Sequence, residues 1–217
     1  MAELKFCGLT RADDARFAGT LGADYLGVIF AGGPRAIDPD RAALVLDACE
    51  TPARRVGVFG RSSAEEVARI ARAARLDIVQ LHGDPTVADV AAVRAATSAQ
   101  VWAVVRVTDA LPAGADSLLA AADALVVDAR VEGGPLGGHG VSFDWTGLCR
   151  DLDTRRGERR VVIAGGLRPE NVAEAVRMLR PDVVDVSSGV ESAPGIKDHA
   201  RMRAFAAAVA GAAKERR

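Results

Sequence analysis

Short apolar runs recur along the chain, and most of them are bounded by turn residues and separated by helical patterns. Eight such runs occupy residues 4–7, 25–30, 55–59, 77–81, 101–105, 124–128, 161–164 and 183–186. Their apolar residues are continuous rather than alternating, which is typical of strands buried on both faces of a parallel sheet. The pattern therefore predicts eight parallel strands.

Amphipathic segments lie between these runs, and the segment after the second run shows the helical pattern clearly. Ala42, Val45 and Leu46 repeat at helical spacing behind Asp38 and Pro39, which are typical of an N-cap and a first-turn proline. Eight strand–helix units predict an α/β fold, a single (β/α)8 TIM barrel that spans residues 1–217 as one domain. An open doubly wound sheet is the alternative that this pattern leaves open.

The charges, cysteines and histidines exclude several classes of protein. Lys and Arg number 28 against 29 Asp and Glu, and this balance argues against a surface for nucleic acid or anionic membranes. No signal peptide is visible and no apolar run is long enough to cross a bilayer, so we expect a cytoplasmic protein. Cys7, Cys49 and Cys149 are widely spaced and the histidines are scattered, which predicts reduced thiols and no metal site.

Small residues with few steric demands follow the seventh run directly. Gly165 and Gly166 come after residues 161–164, and a ligand can approach a glycine backbone closely because no β-carbon is present. Pro169 fits the first turn of a helix behind them, and a helix N-terminus favours anions. An ordinary tight turn is the alternative explanation of the two glycines.

The eighth run is followed by a second loop of the same kind. Ser187, Ser188 and Gly189 come after residues 183–186 and can donate N–H groups at a bend. In (β/α)8 barrels the loops after strands 7 and 8 commonly hold a phosphate. The two loops together predict a phosphate site.

Reactive side chains also stand where predicted strands end, which is where a barrel of this class places its chemistry. Cys7 is either a small core residue or a catalytic thiol. Asp128 ends an apolar run, where a carboxylate is costly to bury unless it is paired or functional. Arg35 can grip a carboxylate in bidentate fashion or remain solvated. His82 and Asp185 complete the set, and a histidine such as His82 is more often structural than catalytic.

The chain resembles one known family along essentially its whole length. The matching segments are KFCGLTRADDA, GADYLGVIFAGGPR, VGVF, VQLHGD, LVVDA, GGHGVSFDW, AGGLRPENV and DVSSGVESAPGIKD, in that order. These motifs resemble those of phosphoribosylanthranilate isomerases of tryptophan biosynthesis. The resemblance implies a (β/α)8 barrel and an Amadori rearrangement of N-(5′-phosphoribosyl)anthranilate to 1-(2-carboxyphenylamino)-1-deoxyribulose 5-phosphate.

The resemblance also implies roles for individual residues. Cys7 matches the general base, Asp128 the general acid and Arg35 the residue that faces the anthranilate carboxylate. The two loops match the phosphate site, and His82 and Asp185 match positions near the barrel mouth. We expect no cofactor, because the substrate nitrogen is itself the electron sink, and we expect nearby positive charge to lower the pKa of Cys7.

The implied partner is a small phosphosugar substrate, without nucleic acid or membrane. A monomer is expected because nothing in the sequence marks an interface, although a homodimer stays open. Three positions depart from the family pattern, namely His139, Ala36 and Gly60. His139 lies in the glycine-rich segment 133–140, which suits a mobile lid.

Three alternatives to this function remain. The histidine-pathway isomerase performs the same rearrangement, but that family carries an aspartate where Cys7 stands and uses two phosphate sites. A metal-dependent pentose-phosphate epimerase would need convergent histidine and aspartate ligands, which the sequence lacks. A non-catalytic barrel that binds phosphorylated metabolites would keep Gly166 and Ser188 without needing Cys7 or Asp128.

Overall fold

The computed structural model describes residues 1–108, 110–129 and 145–214. Eight parallel strands follow one another in chain order around a closed barrel, and β8 pairs with β1. The strands are β1 Glu3–Phe6, β2 Tyr25–Ile29, β3 Arg54–Phe59, β4 Ile78–Leu81, β5 Gln100–Val107, β6 Ala124–Ala129, β7 Val161–Ala164 and β8 Val183–Val186. All eight predicted strands and the barrel are confirmed, and the open doubly wound sheet is wrong.

Helices lie on the outside of the barrel; each of the first seven connects one strand to the next, and the last comes after β8. They are α1 Ala12–Thr20, α2 Pro39–Asp47, α3 Ala64–Ala73, α4 Val87–Ala96, α5 Ala115–Ala121, α6 Thr146–Arg155, α7 Val172–Leu179 and α8 His199–Lys214. Helix α2 begins as predicted, because the Asp38 side chain accepts a hydrogen bond from the Arg41 N–H and Pro39 opens the first turn. Among the described residues, no helix is long and apolar enough to cross a membrane.

Within the described ranges, one segment does not belong to the repeating strand–helix plan. Between β8 and α8 the chain forms a 3-10 turn, Ser188–Val190, and then a short antiparallel hairpin of β9 Glu191–Ala193 and β10 Ile196–Lys197. The hydroxyl of Thr10, in the loop after β1, donates to the Gly195 carbonyl at 2.5 Å. The hairpin is therefore held against the loop after the first strand.

The strands present alternate residues to the two sides of the barrel wall. Leu4 and Phe6 belong to the large apolar core that also contains the buried faces of the helices. A smaller cluster includes Tyr25, Trp102 and Val126. Alternation assigns Cys7 to the same side of β1 as Lys5, away from Phe6. The same parity relates Asp128 to Val126, so the polar strand-end residues and the smaller cluster share the barrel interior.

The outer core predicts where the fold is sensitive to mutation. Phe205 on α8 is fully buried and its ring centroid lies 6.3 Å from that of Phe6 on β1. We expect Phe205→Ala to lower the free energy of unfolding by about 3–5 kcal/mol, because it leaves a cavity between helix and barrel. Leu44→Ala on α2 is the control, since Leu44 is exposed and should change the value by less than about 0.5 kcal/mol. Urea denaturation measures both, and equal small losses would contradict this packing.

Candidate active site

A buried layer of polar side chains crosses the barrel interior. Lys5 on β1 is fully buried, and its ammonium Nζ lies 2.6 Å from Asp185 Oδ2 on β8 and 3.0 Å from Gln80 Oε1 on β4. Burial opposes the charge of Lys5, but the interactions with Asp185 and Cys7 together outweigh it and the pKa of Lys5 is raised. Asp185 was a predicted site residue, whereas Lys5 and Gln80 were missed. The signal for both was a polar residue inside an otherwise apolar strand.

Cys7 lies at the carboxyl end of β1, two residues beyond Lys5. Its N–H donates to the Val186 carbonyl and its side chain is buried. A β-carbon on Gly27 of β2 would lie 2.9 Å from Cys7 Sγ, so the neighbouring strand has room for the thiol only because residue 27 is glycine.

Burial raises the pKa of the Cys7 thiol, and the negative charge of Asp185 adds to this effect. Lys5 and Lys197 act in the opposite direction but do not compensate for burial. The expectation of a lowered pKa was therefore wrong, because the net effect of burial and the neighbouring charges is to raise it. Sequence reasoning identified positive potential as an influence but underestimated how completely the barrel buries the thiol.

Asp128 and His82 face each other on another part of the barrel rim. Asp128 lies on β6, and His82 follows β4 directly. His82 Nε2 lies 3.5 Å from Asp128 Oδ2, and Asp128 is 7% exposed. The cost of a carboxylate at the end of an apolar strand is thus reduced by a neighbouring imidazole. The two predicted residues form one pair.

The two loops after β7 and β8 are in contact. Gly165 and Gly166 have φ values of 84° and 64°, which glycine adopts without strain. A β-carbon on Gly189 would collide with the Leu167 carbonyl oxygen, so close packing of the second loop on the first requires a glycine there. The predicted helix is present as α7, but it begins at Val172, so the prediction that Pro169 lies in its first turn was wrong.

Side chains near these loops converge on the end of β1. The hydroxyl Oγ of Ser187 is buried and has no hydrogen-bond partner among the described residues. A β-carbon on Gly8 would lie 2.8 Å from that hydroxyl and 2.9 Å from Cδ of Arg35. Ser187, Gly8 and Arg35 therefore meet beside Cys7.

Arg35 is not free in this structure. Its Nε donates to Glu191 Oε1 at 2.9 Å and its Nη2 donates to Glu191 Oε2 at 2.7 Å. Lys197 Nζ donates to Glu191 Oε1 at 2.8 Å, to the Cys7 carbonyl at 2.6 Å and to the Ser187 carbonyl at 3.1 Å. Burial lowers the pKa of Lys197 despite the opposing charge of Glu191. Burial alone would raise the pKa of Glu191, but Arg35 and Lys197 outweigh it and the pKa is lowered.

Glu191 and Lys197 were missed as site residues, although both stand in the segment DVSSGVESAPGIKD. The remaining expectations fall outside the site or outside the described residues. Ala36 pairs with Ile29, and a β-carbon on Gly60 would make an ordinary contact with Ala31 at 3.4 Å. His139 and the predicted lid, residues 133–140, lie outside the described residues. Within the described ranges, no group of three or more His, Cys, Asp or Glu side chains could hold a metal ion.

Comparison with known proteins agrees with the fold and with the geometry of the site. A family model described as N-(5′-phosphoribosyl)anthranilate isomerase matches residues 4–208. The isomerase of that name from Paramagnetospirillum magneticum is 42% identical over 213 residues, which cover 96% of this chain and 97% of the relative.

Solved structures show the same likeness in three dimensions. The phosphoribosyl anthranilate isomerase from Thermotoga maritima superposes with a TM-score of 0.85 at 32% identity, covering 97% of this chain and all of that chain. Another structure of such an isomerase holds reduced 1-(o-carboxyphenylamino)-1-deoxyribulose 5-phosphate, with a TM-score of 0.81, 31% identity and coverage of 97% and 100%. The fold and these likenesses define a (β/α)8-barrel isomerase. The chain belongs to the N-(5′-phosphoribosyl)anthranilate isomerase family.

The burial of Cys7 gives a direct test of the site's electrostatics. We expect this thiol to titrate above the ordinary value of about 8.5, because burial outweighs the two lysine charges. Ultraviolet absorbance of the thiolate against pH measures it in a protein carrying Cys49→Ser and Cys149→Ser. The same protein with Cys7→Ser supplies the baseline. A midpoint below the ordinary value would contradict the raised pKa.

Proposed function

We propose that this chain catalyses the Amadori rearrangement of N-(5′-phosphoribosyl)anthranilate to 1-(2-carboxyphenylamino)-1-deoxyribulose 5-phosphate, in tryptophan biosynthesis. The observation that carries the proposal is the placement of a thiol and a carboxylate, Cys7 and Asp128, at the carboxyl ends of β1 and β6. Two strands, β7 and β8, separate these positions around the barrel. A small sugar between them would meet a base on one side and an acid on the other.

The reaction needs only proton transfers. Asp128 gives a proton to the furanose ring oxygen, the bond from that oxygen to C1′ breaks, and the nitrogen lone pair forms a Schiff base. This iminium makes the C2′ hydrogen acidic, and the Cys7 thiolate removes it to give an enolamine. The enolamine tautomerises to the ketone, so no electrons leave the substrate and the mechanism uses no cofactor. His82, 3.5 Å from Asp128, is placed to orient the acid.

The substrate carries a phosphate at one end and a carboxylate at the other, and we propose a binding site for each. The phosphate would lie against the N–H groups of the loops at Gly165–Gly166 and Ser187–Gly189, where the unpartnered Ser187 hydroxyl is a further donor. The anthranilate carboxylate would meet Arg35. The ligand in the related isomerase structure carries the same two groups, a carboxyphenyl ring and a 5-phosphate.

We further propose that the whole chain acts as one cytoplasmic, monomeric catalytic domain. Cys7, Cys49 and Cys149 are all free thiols, which suits a reducing compartment. The large apolar side chains that are exposed within the described ranges lie on different elements or at the terminus, which favours a monomer. They are Met1, Leu44, Val87 and Ile196.

Substitution of the acid and the base tests the mechanism. Cys7→Ala and Asp128→Ala should each lower kcat by about a hundredfold or more, while inhibition by inorganic phosphate survives. The assay follows the loss of anthranilate fluorescence with substrate formed in situ. Near-wild-type turnover in both variants would overturn the mechanism and favour a phosphometabolite-binding protein.

The pH profile identifies the base. The thiolate is the active form of the base and burial raises the thiol pKa, so the limb of the kcat/KM profile that reports the titration of Cys7 should lie in the alkaline range in the wild type. Cys7→Asp should regain part of the activity lost in Cys7→Ala, and that limb should move to acidic pH because a carboxyl titrates near about 4. An unchanged alkaline limb in Cys7→Asp would assign that limb to another group.

A glycine pair tests the phosphate seat. Gly166→Leu should raise KM more than it lowers kcat, because ground and transition states share the phosphate contacts. Gly157→Leu is the matched control, since both glycines have positive φ and open space where a β-carbon would stand, and Gly157 lies just after α6. Both changes strain the backbone by about 1–2 kcal/mol. Equal KM values in the two variants would show that the substrate phosphate does not bind at this loop.

A further inference from the structure

The two edges of the Arg35 guanidinium are used differently. A guanidinium presents N–H groups along its Nε–Nη2 edge and along its Nη1–Nη2 edge, and either edge matches a carboxylate. Glu191 occupies the first edge with hydrogen bonds of 2.9 Å and 2.7 Å. Among the described residues, none accepts a hydrogen bond from Arg35 Nη1. The second edge is thus available to another carboxylate.

The charges of the cluster suit one further anion. Arg35 and Lys197 are cationic and Glu191 is anionic, so the three side chains together retain one positive charge. Glu191 and Lys197 side chains are 4% and 0% exposed, whereas Arg35 is 18% exposed. The excess charge therefore reaches solvent through the arginine. A single carboxylate on its outer edge would neutralise the cluster.

Buried hydrogen bonds also fix the position of this arginine. Lys197 holds one oxygen of Glu191 and at the same time the carbonyls of Cys7 and Ser187. The Gly195 N–H donates to the same Glu191 oxygen from the turn of the hairpin at 3.3 Å. Glu191 therefore has almost no freedom to move relative to Cys7 and the loop after β8. Because Glu191 binds one edge of the Arg35 guanidinium, Arg35 is also held in place relative to Cys7.

We propose that Glu191 is a positioning residue that sets specificity for the anthranilate carboxylate, by holding Arg35 along one edge so that the other edge faces the substrate. Lys197 anchors Glu191 to the backbone of the catalytic base and of the phosphate loop. The distance from the carboxylate contact to Cys7 is then set by buried hydrogen bonds and not by a mobile surface arginine. This inference rests on the proposed function, because it takes the anthranilate carboxylate as the group that Arg35 meets.

A pair of ligands isolates the contribution of the carboxylate. One is reduced 1-(o-carboxyphenylamino)-1-deoxyribulose 5-phosphate, and the other is the same molecule without the ring carboxylate. Calorimetry gives the ratio of their dissociation constants without requiring turnover. In the wild type the carboxylated ligand should bind at least about tenfold more tightly, as a charge-assisted bidentate contact implies.

Two variants of Glu191 test its role. Glu191→Gln keeps the size and removes the charge, and Glu191→Asp keeps the charge and withdraws it by one methylene. Both should reduce the wild-type ratio by about fivefold or more, while the dissociation constant of inorganic phosphate changes less than about twofold. If Glu191→Gln does not fold, Glu191→Asp still decides, because Lys197 and Arg35 keep an anionic partner. In an Arg35→Met background, neither change should alter the ratio further.

Asp116→Asn is the matched control, because Asp116 engages the Nε–Nη2 edge of Arg155 in the same way, at 2.9 Å and 3.2 Å, between α5 and α6. It should leave the ratio unchanged. An unaltered ratio in both Glu191 variants would overturn the inference, and so would a ratio that rises, since Glu191 would then compete with the substrate. A lower ratio accompanied by weaker binding of inorganic phosphate would also overturn the inference, because Glu191 would then have a general structural role. Absence of isomerase activity in the wild type, with the binding ratio intact, would refute the proposed reaction separately.

Discussion

The buried ion pair between Lys5 and Asp185 is the interaction on which the rest of the molecule depends. It joins residues that are 180 positions apart, at the pairing of β1 with β8 that closes the barrel. Removing one partner of a buried pair leaves an uncompensated charge, which typically costs about 3–5 kcal/mol. Closure in this register brings the end of the first strand beside the loop after the last one. Cys7 and Ser187 become neighbours for that reason.

The same closure sets the electrostatics around the thiol. Cys7 is buried at the seam, with Lys5 below it, Lys197 at its carbonyl and Asp185 on the adjacent strand. Burial favours the neutral thiol while the two ammonium groups favour the thiolate, so the raised pKa is the balance of opposing effects. In the proposed mechanism Cys7 is the base, and a base with a raised pKa is scarce in its active form at neutral pH but is stronger once formed. The lysines limit how scarce it becomes.

Much of the fold followed from local patterns, whereas the electrostatic network did not. Continuous apolar runs such as residues 161–164 identify buried parallel strands, because each run reports the burial of its own two faces. Alternation along β1 and β6 likewise directs Cys7 and Asp128 inwards. The Arg35–Glu191 contact joins residues 156 positions apart through a hairpin that lies outside the strand–helix repeat. No periodicity encodes such a contact, and net burial of Cys7 emerges only when neighbouring strands are packed.

The hairpin of β9 and β10 changes how the site is best understood. A plain barrel would offer loops from separate strands, each free to shift with respect to the others. Here one buried lysine ties the Cys7 carbonyl, the Ser187 carbonyl and the Glu191 carboxylate together, and Glu191 in turn holds Arg35. In the proposed complex, a substrate anchored by its phosphate at one end and its carboxylate at the other would have its sugar fixed between Cys7 and Asp128. Orientation of that kind is where an acid–base catalyst without a metal gains much of its rate.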